Sequence, residues 1–106
     1  MAIQITRHAC ERARERLGWS AETLDRMIDR ILGFGLGVSE TAGALRRYLL
    51  EHQEPAEEAL VRTYGEHLYV FQRGPELGEW FLVTVWQLPA SLRSGLRKAR
   101  RRMLAA

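Results

Sequence analysis

The chain has 106 residues, 46% hydrophobic and 27% charged, which is the composition of a chain that folds around a core of its own. One cysteine, Cys10, excludes an internal disulfide, and no apolar run approaches membrane-spanning length. The net charge of +3 is uneven: Arg93, Arg97, Lys98, Arg100, Arg101 and Arg102 meet no acid after residue 92, whereas thirteen acids outnumber the ten cations before it, which argues against a nucleic-acid footprint over the whole surface. The N-terminus carries no signal-peptide-type apolar run, so the expected location is the cytoplasm.

Met1 to Ile5 reads as a short extended lead-in. Thr6 is placed to cap a helix over about residues 7–17, with Ala9, Ala13 and Leu17 as its apolar stripe, Cys10 beside it and Gly18 as a stop signal. Ser20 caps a second helix over about residues 21–32, in which Leu24, Met27, Ile28 and Ile31 follow the i, i+3, i+4, i+7 template. Phe34 among Gly33, Gly35 and Gly37 reads as a flexible link, since no Gly-Lys-Ser/Thr phosphate-loop ending follows. A third helix starts at Ser39 or Thr41 and ends near His52. Its stripe is Ala42, Leu45, Tyr48 and Leu49, and Gly43 inside it costs about 1 kcal/mol relative to alanine, a cost attributable to close approach of another element. Residues 53–58 are acidic, contain Pro55 and form a connection.

The period then changes from helical to alternating. Leu60–Tyr64 and His67–Gln72 read as strands joined by a two-residue hairpin turn with Gly65 first, of type II′. Glu79–Leu88, rich in β-branched and aromatic residues, is a third strand stopped by Pro89. Residues 91–104 form a basic amphipathic helix with Leu92, Leu96, Ala99 and Met103 on one stripe. The expectation is an α+β chain, residues 1–106 as one domain, with three N-terminal helices packed on a three-stranded antiparallel meander and a basic C-terminal helix.

The strongest chemical signal is in the first helix. His8, Arg12 and Arg16 stack at i, i+4 and i+8, although like charges at that spacing cost about 0.2–0.5 kcal/mol per pair. Such a ridge near a helix N-terminus suits an anion, with His8 moving a proton near neutral pH and the two arginines holding a phosphate. The competing reading is a solvated face, with Glu11 paired to Arg7 and Arg14 and Glu15 paired to Arg12. On regular strands Arg62 and Tyr64 share one face, His67 and Tyr69 another, and Trp80, Leu82, Thr84 and Trp86 a third. In a suitable register an Arg, a Tyr, a His and a Thr converge beside aromatic surface able to stack unpaired bases; the plainer reading makes the tryptophans core residues. The basic helix suits a phosphate backbone or an acidic partner, and its few bulky apolar residues argue against membrane insertion. His8, Cys10, His52 and His67 lack zinc-type spacing, so no metal and no cofactor is expected.

The opening Ile5-Thr6-Arg7-His8-Ala9-x-x-Arg12-x-x-x-Arg16-Leu17-Gly18 resembles that of small bacterial and phage proteins in the RelE-like ribonuclease group, which includes barnase-like, colicin-type and RelE-type RNases. Arg62-Thr63-Tyr64-Gly65 and Leu82-Val83-Thr84-Val85 look like strands of such proteins. The resemblance implies N-terminal helices against an antiparallel sheet and metal-independent RNA cleavage in which the 2′-hydroxyl attacks the adjacent phosphate. It further implies His8 as acid or base, Arg12 and Arg16 on the phosphate, and Arg62, Tyr64 and Thr84 as supporting groups. Trp86 and the basic residues 93, 97, 98 and 100–102 would then bind nucleic acid. The expected function is a small RNase toxin of a phage or mobile element, with RNA and an antitoxin as partners. The rival is a non-enzymatic inhibitor or regulator that binds a host protein or nucleoprotein complex, for which an acidic body with a basic helix is suited.

Overall fold

The computed structural model describes residues 2–55 and 57–105; Met1 of the expected lead-in and Ala56 of the acidic connection lie outside the described residues. Strand β1 is Ala2–Ile5, helix α1 Arg7–Leu17, α2 Ala21–Phe34 and α3 Gly43–His52. Strands β2 (Ala59–Tyr64), β3 (His67–Arg73) and β4 (Glu79–Gln87) follow, and α4 is Arg93–Ala105.

The α+β expectation holds, but the architecture corrects the three-stranded meander. The lead-in is a strand, and it pairs parallel with β4 to give a four-stranded mixed sheet of order β1-β4-β3-β2. The helices do not form one N-terminal layer either. Leu24, Ile28 and Ile31 of α2 and Ala9 and Ala13 of α1 pack with Tyr69, Phe71, Leu82 and Val85 on one face of the sheet. Leu45 and Leu49 of α3 and Leu96 and Ala99 of α4 pack with Val61, Leu68 and Val70 on the other. With both faces covered, β3 is buried continuously from Leu68 to Phe71, which the alternating pattern of a one-sided sheet would not allow.

Local chemistry explains the elements. Thr6 ends β1 and starts α1 together: its N–H and hydroxyl both donate to the Leu82 carbonyl at 3.1 Å, and its hydroxyl accepts from the Ala9 N–H. Ser20 accepts from the Thr23 N–H at 3.2 Å and starts α2. Tyr64 pairs with His67 across the Gly65-Glu66 turn, and the Gly65 φ of 62° is the left-handed value that a hairpin of this length requires. The glycine-rich link is not free chain. Leu36 bridges Thr63 through backbone bonds of 3.1 and 2.8 Å, which extends the sheet beyond β2. A Cβ on Gly35 would sit 2.6 Å from the Thr63 carbonyl oxygen, so the bridge needs glycine there. Gly43, by contrast, has nothing within 4 Å of a Cβ position; its φ of 60° at the first residue of α3, rather than a close neighbour, accounts for glycine.

One irregularity decides which side chains share a face. Val70 pairs with Thr84 but Phe71 pairs with Leu82, so Val83 is an extra residue in β4 and forms a β-bulge. The bulge breaks the face expected for Trp80, Leu82, Thr84 and Trp86. Leu82 is buried, and Trp80 packed, on the α1/α2 side. Thr84 and Trp86, opposite Val70 and Leu68, lie on the α3/α4 side.

Candidate functional site

β1 covers only Glu79–Leu82 of its neighbour, so the rest of β4 would be a bare sheet edge. Helix α1 lies along that edge. Ala9 and Ala13 are fully buried there, and their small side chains let the helix approach the strand closely. The ridge residues follow the edge. His8 Nε2 is 3.4 Å from the Thr84 Oγ1. Arg16 donates to the Val85 carbonyl at 2.6 Å, and its guanidinium lies 4.7 Å from the centre of the Trp86 ring. Between them Arg12 donates to Glu15 at 2.7 Å, in an ion pair whose carboxylate is largely exposed.

The ridge is thus neither a plain solvated face nor three free cations. Arg16 closes an edge carbonyl with one N–H and lies over an indole, two contacts that orient its remaining donors. Arg16→Met keeps the aliphatic stem but strands the Val85 carbonyl; urea unfolding is expected to show a loss of about 1–3 kcal/mol.

Sequence reasoning missed two residues of this surface, Tyr48 and His52 of α3. The His52 ring is 6.1 Å from the Trp86 ring, on the side of the sheet that carries Thr84, and 4.5 Å from the Tyr48 ring. Its Nδ1–H donates to the Tyr48 carbonyl at 2.9 Å, so its Nε2 is the basic nitrogen of the neutral ring. Burial, assisted by the Glu51 carboxylate, pushes the Tyr48 phenol above its ordinary value and keeps it a proton donor. The available signal was the one-turn spacing of Tyr48 and His52; what hid it was the bulge, which had to put Trp86 on the α3 side. The resulting strip runs His8, Thr84, Trp86, His52, with Arg12 and Arg16 along one border, and Trp86 is 39% exposed at its centre.

The other expected members are elsewhere. Arg62 and Tyr64 are on β2, at the opposite edge of the sheet, with β3 between them and β4. Arg62 folds back to donate to the Val61 carbonyl at 2.8 Å and packs on Gly37. It stands near Glu40, whose carboxyl is held below its ordinary value by the Ser39 hydroxyl, the Gly37 N–H and this arginine. Tyr64 packs toward α1 and α2. Neither reaches His8. In α4, Arg93 pairs with Glu66 at 3.4 Å and Arg100 donates to the Gly65 carbonyl. Arg97, Lys98, Arg101 and Arg102 are exposed and form no ion pair among the described residues.

His67 opens β3 and stands behind the strip. Its Nε2 is buried without a partner. Burial pushes its pKa below the ordinary 6.5; a hydrogen bond to the Arg16 backbone and the Glu66 charge oppose this, and the charges of Arg93 and Arg16 reinforce it. The unfolded chain therefore takes up this proton near pH 6.5 and the folded chain only at lower pH. Stability from this residue is full above the unfolded value and is lost as pH falls toward the folded one. His67→Gln is expected to shrink the difference between urea midpoints measured at about pH 7.5 and about pH 5.5.

Among the described residues no three His, Cys, Asp or Glu side chains are grouped to hold a metal ion, and no helix is long and apolar enough to cross a membrane. Comparison with protein-family models, curated proteins and solved structures finds no match to this chain.

Proposed function

We propose that the protein is a small RNA-cleaving enzyme of the RelE-like type that uses the strip along β4. The observation that carries this reading is His8 beside Thr84 while Arg16 is braced against Trp86 and the Val85 carbonyl. An exposed indole with an oriented arginine against it accepts an unpaired base and the phosphate next to it. The likeness of residues 5–18 to the openings of such RNases supports the same reading.

In the proposed reaction His8 accepts the proton of a ribose 2′-hydroxyl. The freed oxygen forms a bond to the adjacent phosphorus, and the bond from phosphorus to the 5′-oxygen breaks. His52 lies across Trp86 and, starting as the imidazolium with protons on both nitrogens, gives the Nε2 proton to that leaving oxygen, which yields a 2′,3′-cyclic phosphate, a 5′-hydroxyl and neutral His52. Arg12 and Arg16 stabilise the charge that grows on the phosphoryl oxygens. The exposed Arg12–Glu15 pair is a weak tether that a phosphate can displace, since such pairs contribute about 0–1 kcal/mol. Arg62 and Tyr64, at the far edge of the sheet, have no part in the step.

The test is incubation of purified protein with transfer RNA and total cellular RNA in EDTA. Fragments ending in 2′,3′-cyclic phosphate are expected. Intact RNA after prolonged incubation at high enzyme concentration would end the proposal.

A further inference from the structure

The strip leaves one large feature unused. At the other end of the sheet a groove of about 620 Å³ runs between the end of α2 and the last turns of α4. Gly33, Phe34 and Gly35 form one wall; Met103, Leu104 and Arg100 form the other; Leu36, Thr63 and the Tyr64-Gly65 corner of the hairpin make the floor. Phe34 is 77% exposed, Met103 52% and Leu104 87%. Three bulky apolar side chains left in water around one groove mark a contact surface rather than a scatter of exposed residues.

Charge says what covers it. Arg97, Arg101 and Leu104 recur at i, i+4 and i+7 and so share one side of α4, next to Arg100. No carboxylate lines the groove, and α4 contains none. Arg100 binds the Gly65 carbonyl, which braces the helix end against the hairpin and keeps the groove open in one shape. An apolar trough with cations along a single wall is complementary to a peptide that carries apolar anchors on one face and acids on its flank. A second copy of this chain would have to bring its own arginine-lined wall toward this one. A nucleic-acid strand would leave Phe34, Met103 and Leu104 without apolar partners.

We infer that this groove docks an acidic amphipathic segment of a partner protein, with Phe34, Met103 and Leu104 gripping its apolar face and Arg97, Arg100 and Arg101 its carboxylates. The inference does not depend on RNA cleavage.

The experiment uses the full chain and a fluorescein-labelled helical peptide of about 18 residues, with Leu at i, i+3, i+4 and i+7 and Glu beside them. Anisotropy is expected to report saturable binding that weakens with salt. Phe34→Asp and the double variant Arg97→Glu/Arg101→Glu are each expected to raise Kd about tenfold or more. Both change exposed side chains, and circular dichroism verifies their fold. Control peptides with Lys in place of Glu, or Gln in place of Leu, are expected not to bind. The inference is overturned if the acidic peptide does not bind, or if Phe34→Asp leaves its affinity unchanged. It is equally overturned if polyuridine displaces the peptide and binds Phe34→Asp as well as the parent. Self-association removed by Phe34→Asp, with no peptide binding, would assign the groove to a second copy and also overturn it.

Discussion

Replacing His8 by alanine is expected to slow RNA cleavage by about 10²–10⁴-fold while leaving the unfolding midpoint close to that of the parent. The side chain is exposed, and its one polar contact among the described residues is the long approach to the Thr84 hydroxyl. Its loss strands no buried group, so a fall in rate reports chemistry rather than unfolding. His8→Gln sharpens the test, because it keeps a hydrogen-bonding group but cannot carry a proton near neutral pH; it is expected to be as slow as alanine. The pH profile of the residual activity should lose one limb in the His8 variants and the other in His52→Gln. Cleavage by His8→Ala at the parental rate would remove the residue from the mechanism, and the first helix would then be an edge cover and nothing more.

Deletion of Val83 is expected to straighten β4 with both of its faces kept, at a cost of about 1–3 kcal/mol for the packing that Val83 gives the α3/α4 side. The bulge lets Leu82 and Val85, three positions apart, face the same helix layer. Without the extra residue Leu82 precedes Thr84 directly, and plain alternation leaves Trp80, Leu82 and Val85 toward α1 and α2 and Thr84 and Trp86 toward α3 and α4. Leu82 and Thr84 already face consecutive residues of β3, Phe71 and Val70, so the pairings of Ile3 with Trp80 and Ile5 with Leu82 are kept as well. Val83→Ala keeps the residue count and is expected to cost only about 1–2 kcal/mol. Urea melts of the two variants measure the difference. A deletion variant that fails to fold while the alanine variant folds would mean that the bend of the bulge, and not the side chain it carries, holds α1 on the edge of β4.

Much of the fold follows from local chemistry, and those parts were legible in the sequence. Thr6 and Ser20 cap helices where their hydroxyls suggest, and Gly65-Glu66 turns the hairpin that its position between two alternating runs requires. Non-local chemistry was not legible. β1 has four residues and a partner most of the chain away, so nothing in its own pattern separates a strand from an extended lead-in. Trp80 to Trp86 reads as a regular alternation, and only the pairing with β3 shows that the alternation is interrupted. The ridge of His8, Arg12 and Arg16 was legible from helical spacing, but the role of Arg16 as an edge cap depends on a strand edge that the chain sequence does not display. Convergence of Arg62 with that ridge failed for the same reason: strand order, not strand identity, sets the distance.

The contact that ties Thr6 to Leu82 spans 76 residues. A chain made from its N-terminus outward therefore exposes His8, Arg12 and Arg16 long before the strand that must carry them has left the ribosome. A product broken off ahead of residue 79 holds those three side chains on a helix with no floor beneath it. The strip is therefore assembled in the finished polypeptide and not in the nascent one.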